Sequence, residues 1–256
     1  METQEGTVET TLKDGIAVIT FFHPRSNSLP GTLLNNLAKQ ITEAGKNPEA
    51  SAILLCSKGD KAFCAGASFD ELVSIADRAQ GKEFFSGFAR VINAMRKAPK
   101  FVLARVQSKA VGGGVGIACA ADYTFGTLDS AVKLSELAIG IGPFVVGPAV
   151  ERKIGTARFQ QLAINANAWH SAEWAYHAGL YAELHADVNK MDEAIEALCK
   201  NLRGSNPEAM AQIKAIGWES CGHWDELLTQ RALLSGTLVL SDFTRNAIAS
   251  FKSGSR

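Results

Sequence analysis

A chain of 256 residues, 46% hydrophobic and 20% charged, is long enough to bury a large core in one domain or in one domain with an appendage. Its 26 basic and 26 acidic residues cancel, and no basic run or aromatic–basic alternation is present, which excludes nucleic acid as an electrostatic partner. Apolar stretches broken by glycine or charge well short of the ~20 residues a bilayer demands exclude a membrane-spanning helix.

The polar start, Met1 to Glu5, lacks a basic head and an apolar centre, so a cytoplasmic protein without a signal peptide is expected. Cys56, Cys64, Cys119, Cys199 and Cys221 are scattered and odd in number, without CxxC or histidine spacing. They read as reduced core thiols rather than disulfides or a metal site. Cys64, beside a glycine turn, reads as a small packing residue, because no neighbouring base would activate it.

Thr7 to Leu12 and Ile16 to Phe22 are β-rich and joined across Asp14-Gly15, a hairpin signal. Pro30 opens a helix through Ala44, with Leu33, Leu34, Leu37 and Ile41 on one face. Ala52 to Cys56 is continuously apolar, the pattern of a strand buried on both faces. A glycine turn, Phe63-Cys64-Ala65-Gly66-Ala67, leads into Ser68-Phe69-Asp70-Glu71, a capping box for the next helix. A helix over Lys82 to Lys97 stops before Pro99, and Phe101 to Val106 is strand-like. Then comes Val111-Gly112-Gly113-Gly114-Val115-Gly116, opening an apolar helical run to Ala121, and a strand near Tyr123 to Phe125.

Strands alternating with helices to about residue 190 predict an α/β core of repeated strand-strand-helix or strand-helix units. From Met191 four amphipathic helices follow: Met191 to Leu202, Ser205 to Gly217, Asp225 to Leu234 and Asp242 to Phe251. Ser205-Asn206-Pro207-Glu208 reads as a second capping box. The organisation expected is a core over 1–190 and a helical region over 191–256 that serves association.

The triple glycine is not a phosphate loop, since no Lys-Ser/Thr follows it, and it misses the G-x-G-x-x-G dinucleotide pattern from either starting glycine. Two readings remain: close helix–strand packing, or an oxyanion site where backbone N–H groups at a helix start face a developing negative oxygen. The turn at Phe63 to Ala67 offers a second donor of the same kind. One preorganised donor is worth roughly 3–4 kcal/mol of transition-state stabilisation.

Three segments together resemble the crotonase (enoyl-CoA hydratase/isomerase) family. Lys61-Ala-Phe-Cys-Ala-Gly-Ala-Ser-Phe-Asp70 matches its first signature, and Lys109-Ala-Val-Gly-Gly-Gly-Val-Gly116 with Ala120-Ala-Asp122 its second. Ser135-Glu-Leu-Ala-Ile-Gly140 matches the third, and the similarity runs from about Thr7 to Phe251. The resemblance implies a spiral of ββα units, a C-terminal helical trimerisation region, and assembly as a homotrimer or a dimer of trimers. It implies an acyl-CoA thioester substrate polarised by the N–H groups of Ala67 and Gly113. No cofactor is implied beyond the coenzyme A of the substrate, and no metal. Arg25 and Ser26, in the loop His23-Pro24-Arg25-Ser26, would touch the CoA nucleotide, with a solvated loop charge as the equal alternative for Arg25. Ala65, Ala67, Ser68, Phe69, Asp70 and Gly113 would complete the thioester site.

The family's hydratases use two glutamates, whereas here Glu136 stands in the third motif and the other position is Gly116. Proton transfer therefore falls to Glu136, partly desolvated between aliphatic neighbours, or to a side chain that no motif reveals; for Glu136 itself a solvent-facing helix residue is the alternative. Reversible hydration of a 2-enoyl-CoA is the favoured reading. A Δ3-Δ2 enoyl-CoA isomerase and a non-catalytic CoA-ester-binding homologue remain as alternatives. Gly140 to Pro148 with Glu151 to Gly155 resembles a bacterial methylglutaconyl-CoA hydratase branch. His170, His177, His185 and His223 read as surface or packing residues, and Trp169, Trp174, Trp218 and Trp224 as helix contacts or subunit interfaces. Lys252 stands where a tail residue would reach a neighbour's CoA phosphates, with a solvated lysine as the alternative.

Overall fold

The computed structural model describes residues 6–252, with the side chains of Phe251 and Lys252 excepted. The expectations drawn from Met1 to Glu5 and from the Lys252 side chain therefore lie outside the described residues. The chain runs β1 (Thr7–Lys13), β2 (Ile16–Phe22), β3 (Ser28–Leu29), α1 (Gly31–Lys46), β4 (Ala52–Ser57), β5 (Gly66–Ala67), α2 (Phe69–Ser74) and α3 (Arg78–Lys97). It continues β6 (Val102–Val106), β7 (Ala110–Val111), α4 (Gly113–Ala120), β8 (Tyr123–Thr127), β9 (Val132–Lys133) and a 3-10 turn over Glu136–Ile139. Next come α5 (Gly147–Ile154), α6 (Thr156–Ile164), α7 (Ala172–His177) and β10 (Glu183–His185). The helices α8 (Val188–Arg203), α9 (Pro207–Gly217), α10 (Trp224–Leu238) and α11 (Asp242–Lys252) end the described chain.

The long strands form one sheet in the order β1-β2-β4-β6-β8-β10, with β1 antiparallel to β2 and the other pairings parallel. Asp14 and Gly15 both take positive φ, 48° and 71°, as a two-residue hairpin turn requires. Each long strand from β2 to β8 is followed by a two-residue strand, and these pair in parallel as β3-β5 and β7-β9. A further parallel bridge joins Cys64 to Ala110. Each turn of the chain is thus a long strand, a short strand and helical structure, and successive short strands lie side by side. The expected ββα spiral is what forms.

Strand β4 is buried along its whole length. Ile53 and Leu55 face the main core, with Ile19, Phe21 and the helices α1, α3 and α4, while Ala52, Leu54 and Cys56 face a second cluster with Met191, Ile195 and Cys199 of α8. The first helix beyond residue 190 is therefore a cover of the sheet. Helix α9 is tied in by the buried Lys214, whose Nζ donates to Asp122 Oδ2 (2.6 Å) and Met95 O (2.8 Å). Trp218 Nε1 donates to the same carboxylate at 2.8 Å. Helix α10 lies against α3 so closely that a Cβ on Gly81 would fall 2.7 Å from Gly236 Cα.

Two caps differ from the sequence reading. Ser68 Oγ accepts from Glu71 N as a capping box demands, but Glu71 Oε2 accepts from Gly31 N (2.8 Å), and Ser68 N–H donates to Leu29 O instead. The N-terminus of α1 presents a nearer orphan donor, so half of the box becomes a bridge between helices. In the tail, Asn206 caps α9, accepting from Glu208 N and Ala209 N, while Ser205 Oγ turns back to Asn201 O at the end of α8. Pro207 at the first helical position places the cap on the residue before it. Helix α3 also starts at Arg78, four residues before Lys82, because Asp77 Oδ1 accepts from Gln80 N at 2.9 Å. No helix among the described residues is long and apolar enough to cross a membrane.

Candidate active site

Side-by-side packing of the short strands brings the two glycine turns together. Val111 N–H donates to Cys64 O (2.9 Å), and a Cβ on Gly66 would lie 3.2 Å from Val111 O and 3.6 Å from Gly113 N. Along this turn Ala65 N–H donates to Ser26 O (3.2 Å) and Ser68 N–H to Leu29 O (3.0 Å), both toward β3 and the loop before it, with Ala67 between them on the cavity wall. Gly113 heads α4, where first-turn N–H groups have no carbonyl four residues back to bind.

Each member of the triple glycine clears a different neighbour. Gly112 sits at φ 52° and ψ −114°, backbone that a side chain would strain, and a Cβ there would meet Glu136 Oε1 at 2.9 Å. A Cβ on Gly113 would strike the Phe88 ring at 2.2 Å, and one on Gly114 would strike Cys64 O at 2.4 Å. Close packing therefore holds at each of the three glycines, and it leaves the backbone at the start of α4 bare on the cavity side.

Ala65, Ala67, Phe69, Gly113 and Glu136 line one cavity of about 620 Å³. Its wall is mostly hydrocarbon, from Leu72 of α2, Phe84, Phe85 and Phe88 of α3, and Ile141 to Val146, with Ser235 of α10 and Ala247 of α11 reaching in from the tail. Glu136 is the one carboxylate among the lining residues described. It opens the 3-10 turn with its carboxylate inward, while the next residue, Leu137, is 49% exposed. The solvent-facing alternative does not hold. Glu136 Oε2 is buried and has no hydrogen-bond partner among the described protein groups. Burial pushes its pKa up to about 7, partly offset by the backbone N–H groups of Glu136 and Ser135. Helix α11 backs the turn, with Thr244 Oγ1 donating to Gly140 O at 3.2 Å.

At Gly116 a Cβ would lie 2.5 Å from Val146 Cγ1. The space into which a side chain at 116 would grow is filled with hydrocarbon, not left open for a second acid.

Arg25, Ser26, Ser68 and Asp70 do not line the cavity. Arg25 forms an ion pair with Asp70 at the surface, both side chains nearly two-thirds exposed. Ser26 takes φ 53° and its carbonyl accepts from Ala65 N (3.2 Å), so this loop braces the first glycine turn. Ser68 caps α2. The Cys64 thiol is buried and pushed up to about 12, an inert packing group. Trp218 and Trp224 are buried edge to face at 5.6 Å, as packing residues; Trp169 instead is 47% exposed and lines the cavity with Lys133 and Asn167. Sequence reasoning missed Lys133, Val146 and Ser235. Only Lys133, three residues before Glu136, carried a signal that could have found it.

The family model for enoyl-CoA hydratase/isomerase matches residues 11–236. A short-chain-enoyl-CoA hydratase of Clostridium acetobutylicum is 29% identical over 189 residues, covering 73% of this chain and 69% of the relative. An ethylmalonyl-CoA decarboxylase of Gallus gallus is 26% identical over 168 residues, 65% of this chain and 56% of its own. The crystal structure of an enoyl-CoA hydratase from Bacillus halodurans superposes with a TM-score of 0.88 at 19% identity, covering 95% of this chain and 99% of its own. At that identity the likeness shows the fold.

Proposed function

The chain belongs to the enoyl-CoA hydratase/isomerase family, and we propose that it catalyses reversible hydration of a 2-enoyl-CoA thioester with Glu136 as its sole proton-transfer group. The observation that carries this reading is the buried Glu136 carboxylate, held near neutrality in the cavity that Ala67 and Gly113 also line. A carboxyl at about 7 is both a competent base and a competent acid at physiological pH.

The thioester oxygen accepts from the N–H groups of Ala67 and Gly113. Glu136 takes a proton from water as the water oxygen attacks C3. The electron pair of the double bond moves onto the thioester as an enolate, whose negative oxygen the two donors stabilise. The protonated Glu136 then delivers its proton to C2, and the enzyme returns to its starting state. The name of the Clostridium relative supports the same reaction. Arg25, Ser26, Ser68 and Asp70 form the rim that receives the CoA nucleotide, with Arg25 exchanging Asp70 for phosphate. The substrate brings its own coenzyme A, and no further cofactor takes part.

One observation favours a second reading. With Val146 filling the side-chain space at Gly116, no second carboxylate holds the attacking water. A Δ3-Δ2 isomerase needs only one carboxylate to move a proton between C4 and C2. Purified protein incubated separately with crotonyl-CoA and a 3-enoyl-CoA decides between them. Gain of one water by crotonyl-CoA supports hydration, bond migration alone supports the isomerase, and binding without turnover removes both.

The assembly proposed is a cytoplasmic homotrimer or dimer of trimers with the helices of 191–256 at the interface. Ile213 and Ile216 of α9 and Phe243 of α11 are each more than 60% exposed, apolar area of the kind an interface covers. Sedimentation equilibrium yielding a monomer mass would refute it.

A further inference from the structure

We propose that the acyl group accepted by this cavity carries a carboxylate of its own, read by Lys133 beside Trp169. The inference rests on the CoA-thioester reading and names the substrate class within it.

Lys133 ends β9 and lines the same cavity as Glu136. Its carbonyl accepts from Gly112 N at 2.9 Å, and Gly112 is the residue over which the Glu136 carboxylate lies. Lys133 therefore belongs to the end of the cavity where the chemistry is placed. Arg25 and Asp70 pair at the surface outside the cavity.

The Lys133 ammonium stands 5.7 Å from the Trp169 ring centroid, and the exposed Lys109 ammonium stands 5.3 Å from the same ring. Among the described residues neither lysine has a carboxylate within ion-pair distance. Lys109 lines a different pocket, so Lys133 is the cation that this cavity itself offers. A cation over an exposed ring gains little, and an anion within reach of Lys133 supplies the counter-charge it lacks. The rest of the wall offers hydrocarbon and Glu136, which would repel a carboxylate, so the lysine end is the place in this cavity that rewards one.

A CoA ester has two sources of anionic oxygen, the acyl chain and the phosphates of CoA. The anchoring of the Lys133 backbone beside Gly112, on the wall of the cavity that holds Glu136, selects the acyl chain. A site built around such a charge also discriminates, because an uncharged acyl group leaves the Lys133 ammonium uncompensated.

The test is calorimetric binding of saturated thioesters, which are not turned over, to the wild type, Lys133→Met, Lys133→Arg and Lys109→Met. The probes are butyryl-CoA against succinyl-, glutaryl- and adipyl-CoA, with free CoA as the phosphate control. The wild type is expected to bind at least one diacid ester about tenfold more tightly than butyryl-CoA, a difference of ~1.4 kcal/mol. That ratio should fall to near one in Lys133→Met and persist in Lys133→Arg and in Lys109→Met. No diacid preference in the wild type overturns the proposal. So does an equal loss for diacid esters, butyryl-CoA and free CoA in Lys133→Met, which would assign the lysine to the phosphates. Failure of the wild type to bind any thioester or CoA overturns the CoA-ester reading itself. Loss of hydration alone leaves these binding results standing.

Discussion

Replacing Glu136 with glutamine should stabilise the folded protein in neutral and alkaline solution while removing its proton-transfer group. The carboxyl sits at about 7 in the folded chain against 4.5 when free. Ionising it in place therefore costs about 3 kcal/mol more than ionising it in the unfolded chain, an upper figure for a single buried group. The sign follows from proton binding. Below about pH 4.5 the carboxyl is protonated in both states, and glutamine is close to its isostere. Between about 4.5 and 7 the unfolded chain gives up the proton and the folded chain keeps it, so wild-type stability falls as pH rises. Above about 7 the full penalty is present. Urea titrations of both proteins at several pH values are the assay. Glu136→Gln should match the wild type at pH 4.5, exceed it increasingly through pH 7 and then level off. A difference that stays the same at every pH, or one that favours the wild type in alkali, would refute the claim that burial holds this carboxyl near neutrality.

Installing the absent acid by Gly116→Glu alone should destabilise by about 1–3 kcal/mol, because the new Cβ meets Val146. Thermal denaturation should show Val146→Gly recovering most of that loss in the double variant. Gly113→Ala drives a methyl into the Phe88 ring and moves the proposed thioester donor, so kcat/KM should fall by about 10²-fold, read in single-turnover assays. Lys214→Met leaves the partly buried Asp122 carboxylate without its ammonium partner and should cost about 3 kcal/mol in chemical denaturation.

The site was legible where its geometry is local. Gly112 to Gly114, Gly66 and Glu136 are readable because backbone donors at helix starts and a carboxylate among aliphatics are short-range patterns. The spiral was legible from alternating strands and helices. What the chain did not disclose depends on which distant segments touch. Val146 is thirty positions from Gly116 in the sequence, and only folding shows that its methyl group occupies the acid's place. Glu71 has the spacing of a capping box, yet the N-terminus of α1, forty residues earlier, claims its carboxylate. Trp169 carries no periodicity that separates an exposed cavity wall from a packed core, and the nearness of Lys133 to Glu136 in the sequence does not show that it shares a cavity with that ring. The tail shows amphipathic periodicity whether it covers its own sheet, as α8 does, or turns outward, as Ile213 and Ile216 do.

The central claim, that one carboxylate moves every proton at C2, is tested most directly by hydrogen exchange in D2O at C2 of a saturated ester such as butyryl-CoA. This reports enolate formation whether the full reaction is hydration or bond migration. Wild-type exchange should rise with pH to a plateau above about 7, following ionisation of Glu136. Glu136→Gln should bind the ester and exchange nothing. Continued exchange in that variant at a rate near the wild type's would contradict the account.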